Sequence, residues 1–104
     1  MTTEEFNNLL DNEIMPAITA MRNAGQKEYA QNSNEVFANF IRTGVDIDIP
    51  SDKVLMTFLL KHIDGICAHV KGHKSQREHV TGRITDAIVY LMLLWGMIKE
   101  QETK

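Results

Sequence analysis

The chain reads as an all-α bundle of about four helices in a single domain covering residues 1–104. Apolar residues recur at spacings of three and four through most of its length, the signature of amphipathic helices. Runs that alternate apolar and polar residues, as half-buried strands do, are few and brief. Only two prolines, Pro16 and Pro50, punctuate the chain. A length of 104 residues suffices for one core, and a hydrophobic share of 43% with 24% charged residues matches an ordinary soluble globular domain.

The first helix is predicted over 3–24. Thr3 is its expected N-cap, and Glu4 and Glu5 complement the positive end of the helix dipole. Phe6, Leu9, Leu10, Ile14, Ile18 and Met21 fall at helical spacing. Pro16 is expected to kink or split this helix, and Gly25 to stop it. A polar stretch follows over 26–34. A short helix over 34–43 carries Val36, Phe37, Phe40 and Ile41 on one face and ends at Gly44. Segment 45–50 alternates but is brief and runs into Pro50, so it reads as an extended loop. Ser51 then caps a long helix over 51–70 with Asp52 in its first turn. Leu55, Phe58, Leu59, His62, Ile63, Ile66 and Val70 form its predicted buried face. A polar, basic loop covers 71–79, and the last helix runs over 81–100.

That last helix is apolar nearly all round from 87 to 98. Twelve residues are too few to span a bilayer, which needs about 20. A helix apolar on every side is buried on every side, and three other helices can hardly surround it in so small a chain. Self-association through the C-terminal helix, giving a homo-oligomer, is therefore expected. Cys67 is the only cysteine, which excludes an intramolecular disulfide and points to a reducing compartment such as the cytoplasm. It lies in an apolar run, as a small buried hydrophobe would. The N-terminus lacks the basic and apolar pattern of a signal peptide. A net charge of −3 argues against general nucleic-acid binding.

Charge is unevenly placed. All four histidines (His62, His69, His73 and His79) and five of the eleven basic residues lie within 61–83, against two of the fourteen acids, a local balance of five minus two, or +3. A concentrated positive field recruits anions, and phosphate is the commonest of them. The competing reading is a solvated basic loop. On the last helix Arg83, Asp86 and Tyr90 share a side, as do Lys61, Asp64 and Lys71 on the third. Asp86 precedes the apolar run, so its carboxylate needs a cation, which Lys61 or Arg83 could supply. The alternative is a pocket lined by Lys61, Arg83 and Tyr90 with Asp86 as orienter. His73, Lys74, Arg77 and His79 on the loop suit phosphate oxygens by charge-assisted hydrogen bonds. His62 reads as a core histidine. His69 and His73 stand at i,i+4, but Gly72 interrupts the helix between them and nothing completes a zinc set. Gly-rich phosphate loops, the G-x-S-x-G elbow and Cys/His nucleophile patterns are absent from the sequence, which weighs against ordinary kinases, NTPases and esterases.

Segments 27–42 (KEYAQNSNEVFANFIR), 54–66 (VLMTFLLKHIDGI) and 82–98 (GRITDAIVYLMLLWGMI) resemble small all-α bacteriophage proteins of the nucleotide-modification-associated or MazG-like type. The positions that carry the resemblance are Lys27, Tyr29, Phe37, Asn39, Phe40, Lys61, Asp64, Asp86 and Tyr90. The resemblance implies a helical fold that binds nucleotides or their phosphates. MazG-type pyrophosphatases hold magnesium with Glu-Glu-x-x-Glu on one helix and Glu-x-x-Asp on the next, because hard cations need clustered carboxylates. Here the second motif reads Arg83-Ile84-Thr85-Asp86, with arginine in the glutamate position, and past Asp52 in its first turn the middle helix offers only Asp64. The expectation is therefore a phage-type protein of the host cytoplasm that binds a nucleotide-like ligand without cleaving it, with no metal and no cofactor. Sequestering a nucleotide signal of host defence is one version of that role. The expected ligand-binding set is Lys61, Arg83, Asp86, Tyr90, Lys74, Arg77, His73 and Asn39, with no catalytic residue. Two alternatives stand beside it: a magnesium-dependent nucleoside-triphosphate pyrophosphatase using Asp64 and Asp86, and an adaptor that docks a host protein.

Overall fold

The computed structural model describes residues 1–29, 34–74 and 79–104. It is helical, with no strand among the described residues. Four rods build it. The first consists of α1 (Thr3–Leu9), a π-helical turn (Leu10–Ile14) and α2 (Met15–Tyr29), which run on without a break. The others are α3 (Ala38–Ile47), α4 (Ser51–Val70) and α5 (Val80–Glu102). The long helices α4 and α5 pack against each other as a hairpin, α2 lies on α5, and α3 lies on α4.

Several signals that normally end helices act differently here. Thr2, not Thr3, caps α1. Its hydroxyl accepts the Glu5 N–H at 3.0 Å, and the Glu5 carboxylate accepts the Thr2 N–H at 3.2 Å. This reciprocal box requires a spacing of three, which Thr3 does not have to either glutamate. Pro16 neither splits nor stops its rod. Its ring would meet the Asn12 carbonyl in a regular α-helix, and the π turn just before it redirects the backbone bonds, with the Met15 N–H donating to Leu10 O. Gly25 is passed as well, and helix continues to Tyr29.

The second helix begins later than expected and runs through Gly44 to Ile47. Half of the segment read as an extended loop is thus its last turn. Asp48 stops the helix in the left-handed conformation, φ 59°, a region that aspartate tolerates better than most residues. The N–H groups of Asp48 and Ile49 both donate to Gly44 O. A Cβ at Gly44 would lie 2.5 Å from Ile49 O, so this buried glycine lets the chain fold back onto its own helix. Pro50, rather than Ser51, occupies the N-cap of α4 and offers no side-chain acceptor.

The core gathers where α3, α4 and α5 meet: Phe37, Phe40, Val54, Leu55 and Met97 are buried, with Phe58, Tyr90, Leu93 and Leu94 packed around them. Phe37 rests on Gly96 of α5. Ile63 and Val70, expected on the buried face of α4, are exposed instead, and Cys67 beside them is exposed too. α5 shows Ile84, Leu91, Met92, Trp95 and Ile98 to its surroundings, so the chain by itself does not bury this helix on every side. At 23 residues α5 is long and apolar enough to cross a membrane by length and composition, which the unbroken run of twelve had not suggested.

Candidate functional site

A cavity of about 600 Å³ opens between α2, the start of α3 and the α4–α5 hairpin. Its size falls in the usual range for small-molecule sites, about 300–1,000 Å³. Each helix contributes residues at its own repeat. Phe58, Lys61 and His62 of α4 stand at i, i+3, i+4, and Asp86, Val89, Tyr90 and Leu93 of α5 at i, i+3, i+4, i+7. α2 adds Met21, Arg22, Gly25 and Glu28, and Val36, Asn39 and Phe40 close the remaining side.

One wall is aromatic. Phe40, Phe58 and Tyr90 form a mutually packed trio with ring centroids 6.0–6.3 Å apart, and the His62 ring lies 5.6 Å from Tyr90 at 32°. Such tilted and edge-on contacts fix ring orientation beyond what burial alone does. The lining also carries charge. Arg22 and Lys61 supply two cations, Glu28 and Asp86 two carboxylates, so the formal charges of the lining cancel. His62 stands beside both an aromatic ring and a carboxylate. Its Nδ1 stands 3.8 Å from Asp86 Oδ2, too far for a direct hydrogen bond. That nitrogen is buried and makes no hydrogen bond within the described residues. Burying an unsatisfied imidazole nitrogen costs about 1–3 kcal/mol.

Of the residues expected to bind, Asn39, Lys61, Asp86 and Tyr90 meet in this cavity. Arg83 does not line it. Its side chain crosses to α4 and lies on Gly65, where a Cβ would come within 2.6 Å of a guanidinium nitrogen. His73 and Lys74 are exposed beyond the end of α4, outside the cavity lining. Arg77 lies outside the described residues. His79 is engaged as the N-cap of α5, its Nδ1 accepting the Thr81 N–H at 3.2 Å. Among the described residues the basic stretch is thus dispersed in space: of its four described cations one, Lys61, lines the cavity. Asp64, the second acid of the pyrophosphatase alternative, is exposed and outside the lining. Among the described residues no three His, Cys, Asp or Glu side chains are grouped as a metal site.

Two contributors were not foreseen. Arg22 continues the apolar series Ile14, Ile18 at the same spacing of four, and a charge on an apolar stripe is the sequence mark of a pocket or a buried pair. His62 interrupts the apolar stripe of α4 in the same way. No family model, curated protein or solved structure matches the chain.

Proposed function

We propose that this cavity binds a nucleotide-like ligand and holds it without cleaving it. The observation that carries the reading is a lining that combines the packed rings of Phe40, Phe58 and Tyr90 with two cations, Arg22 and Lys61. A nucleotide combines the same two chemistries, a flat base that packs on rings and a phosphate that takes charge-assisted hydrogen bonds. Asn39, His62 and Asp86 supply the polar groups that read the edges of a base or sugar. The residues of the MazG-like resemblance that meet here, Asn39, Phe40, Lys61, Asp86 and Tyr90, support placing the chain beside those phage-type helical proteins. Lys27 and Asp64 of that pattern lie outside the cavity lining. A role in sequestering a nucleotide signal in the cytoplasm of an infected cell follows from the same reading. The exposed apolar side chains of α5 independently support assembly into a homo-oligomer through the C-terminal helix.

Isothermal titration with mono-, di- and cyclic nucleotides tests this. Saturable binding is expected for at least one class, and the ligand is expected to be recovered intact. If no nucleotide binds, the reading fails. Magnesium-dependent release of pyrophosphate that disappears in Asp86→Asn would replace it with the hydrolase.

A further inference from the structure

The α4–α5 hairpin has a second broad face. On α4 Met56, Leu60, Ile63, Cys67 and Val70 follow one another in steps of four and three, and all are exposed. On α5 Ile84, Ile88, Leu91, Trp95 and Ile98 do the same, with Ile88 half-buried and the others exposed. Steps of four and three are the seam of a helix that packs lengthwise on another helix. At 3.6 residues per turn, each row falls on the side of its helix opposite the cavity-lining residues. Both rows therefore lie on one face, the back of the hairpin. Each covers fourteen residue steps, about 21 Å at 1.5 Å per residue.

We infer that this two-row face is the contact surface for a second copy of the chain, the two hairpins closing into a four-helix bundle with a cavity facing outward on each protomer. This deepens the C-terminal assembly proposed above by adding α4 as half of the contact and by placing the nucleotide cavities away from it. Three features select a second copy. The rows contain no charged side chain, so the matching surface is apolar, and the chain itself presents one. The rows are equal in length and run side by side, which is what a self-complementary two-fold contact requires. Their open surface, with Trp95 70%, Leu60 58% and Val70 79% exposed, is on the order of 800 Å², the share each partner gives to a standard stable interface. A single soluble chain rarely leaves so much contiguous apolar area uncovered. A bilayer suits α5 less well, because its opposite face carries Asp86 into the cavity.

Sedimentation equilibrium on the full chain tests the inference, read beside the emission of Trp95, the only tryptophan. Wild type is expected at twice the chain mass, with emission that moves to longer wavelength as dilution separates the copies. Leu60→Lys combined with Trp95→Glu changes two exposed positions; it should halve the mass while leaving circular dichroism and nucleotide titration as in wild type. A wild-type chain at single-chain mass, with emission unchanged on dilution, overturns the dimer. So does a double variant that stays dimeric. A monomeric wild type that floats with phosphatidylcholine vesicles overturns it in favour of a membrane. Should the double variant unfold, the wild-type mass and dilution curve decide alone. A dimer that binds no nucleotide sinks only the cavity reading, and a monomer that binds one sinks only the dimer.

Discussion

The front and back of the α4–α5 hairpin present opposite chemistries on the same two helices. On the front, Lys61, His62, Asp86 and Tyr90 mix charge, aromatic surface and a buried nitrogen lacking a hydrogen bond. On the back, two rows of large aliphatic side chains, with Trp95 and Cys67, stand in solvent apart from the half-buried Ile88. The mixed front suits the ligand proposed for it. Uncovered apolar side chains suit the second copy proposed for the back. The hairpin can do both because a helix offers separate faces at its 3.6-residue repeat, and between them Leu55, Leu59 and Ala87 form the buried layer that makes the two faces independent.

The sharpest way to break the comparison is to remove that shared layer. Leu55 is 0% exposed, so Leu55→Ala leaves a cavity and should destabilise by about 2–5 kcal/mol in urea denaturation. Nucleotide binding and self-association should then fail together. A front-face change should separate them. Lys61→Ala should weaken nucleotide affinity about tenfold to 150-fold by calorimetry, as expected for one lost charged hydrogen bond, and leave the sedimentation mass and melting temperature unchanged. Because screening weakens such contacts, the wild-type affinity should also fall with added salt. Gly44→Ala lies on neither face but forces a Cβ against Ile49 O. Backbone must shift to admit it, at a cost of about 1–3 kcal/mol, and the loss should show as a lower melting temperature. The smallest effect belongs to Thr2→Ala, which removes the capping box far from the hairpin. About 1 kcal/mol of stability is expected to go, with binding and mass both retained.

Legibility in the sequence followed the range of each signal. Helix placement on α4 and α5 was readable to within one or two residues, because long apolar periodicity is redundant and a single misread position does not shift it. Stop signals were less readable. Pro16, Gly25 and Gly44 all suggested helix ends, yet each lies inside a continuous rod. A breaker depends on whether its neighbours can absorb it: the π turn does so for Pro16, and the Asp48 turn uses Gly44 O as an acceptor rather than ending there. The site divided along the same line. Lys61, Asp86, Tyr90 and Asn39 met as expected, whereas the cluster of basic residues in 61–83 did not, since proximity along a helix–loop–helix spreads side chains over different faces and ends.

The sequence by itself determined the helical class, the placement of the two long helices and the acidic, single-cysteine character of the chain, because composition and periodicity are local properties. Tertiary structure alone decided that Arg22 of the first rod shares a cavity with Lys61, that Arg83 lies on Gly65 instead of facing that cavity, and that the apolar rows of α4 and α5 fall on one side. Those outcomes depend on how rods cross and turn relative to one another. Helix rotation is set jointly by Phe37, Phe40 and Leu55 packing between three elements, information that no single stretch of the chain carries.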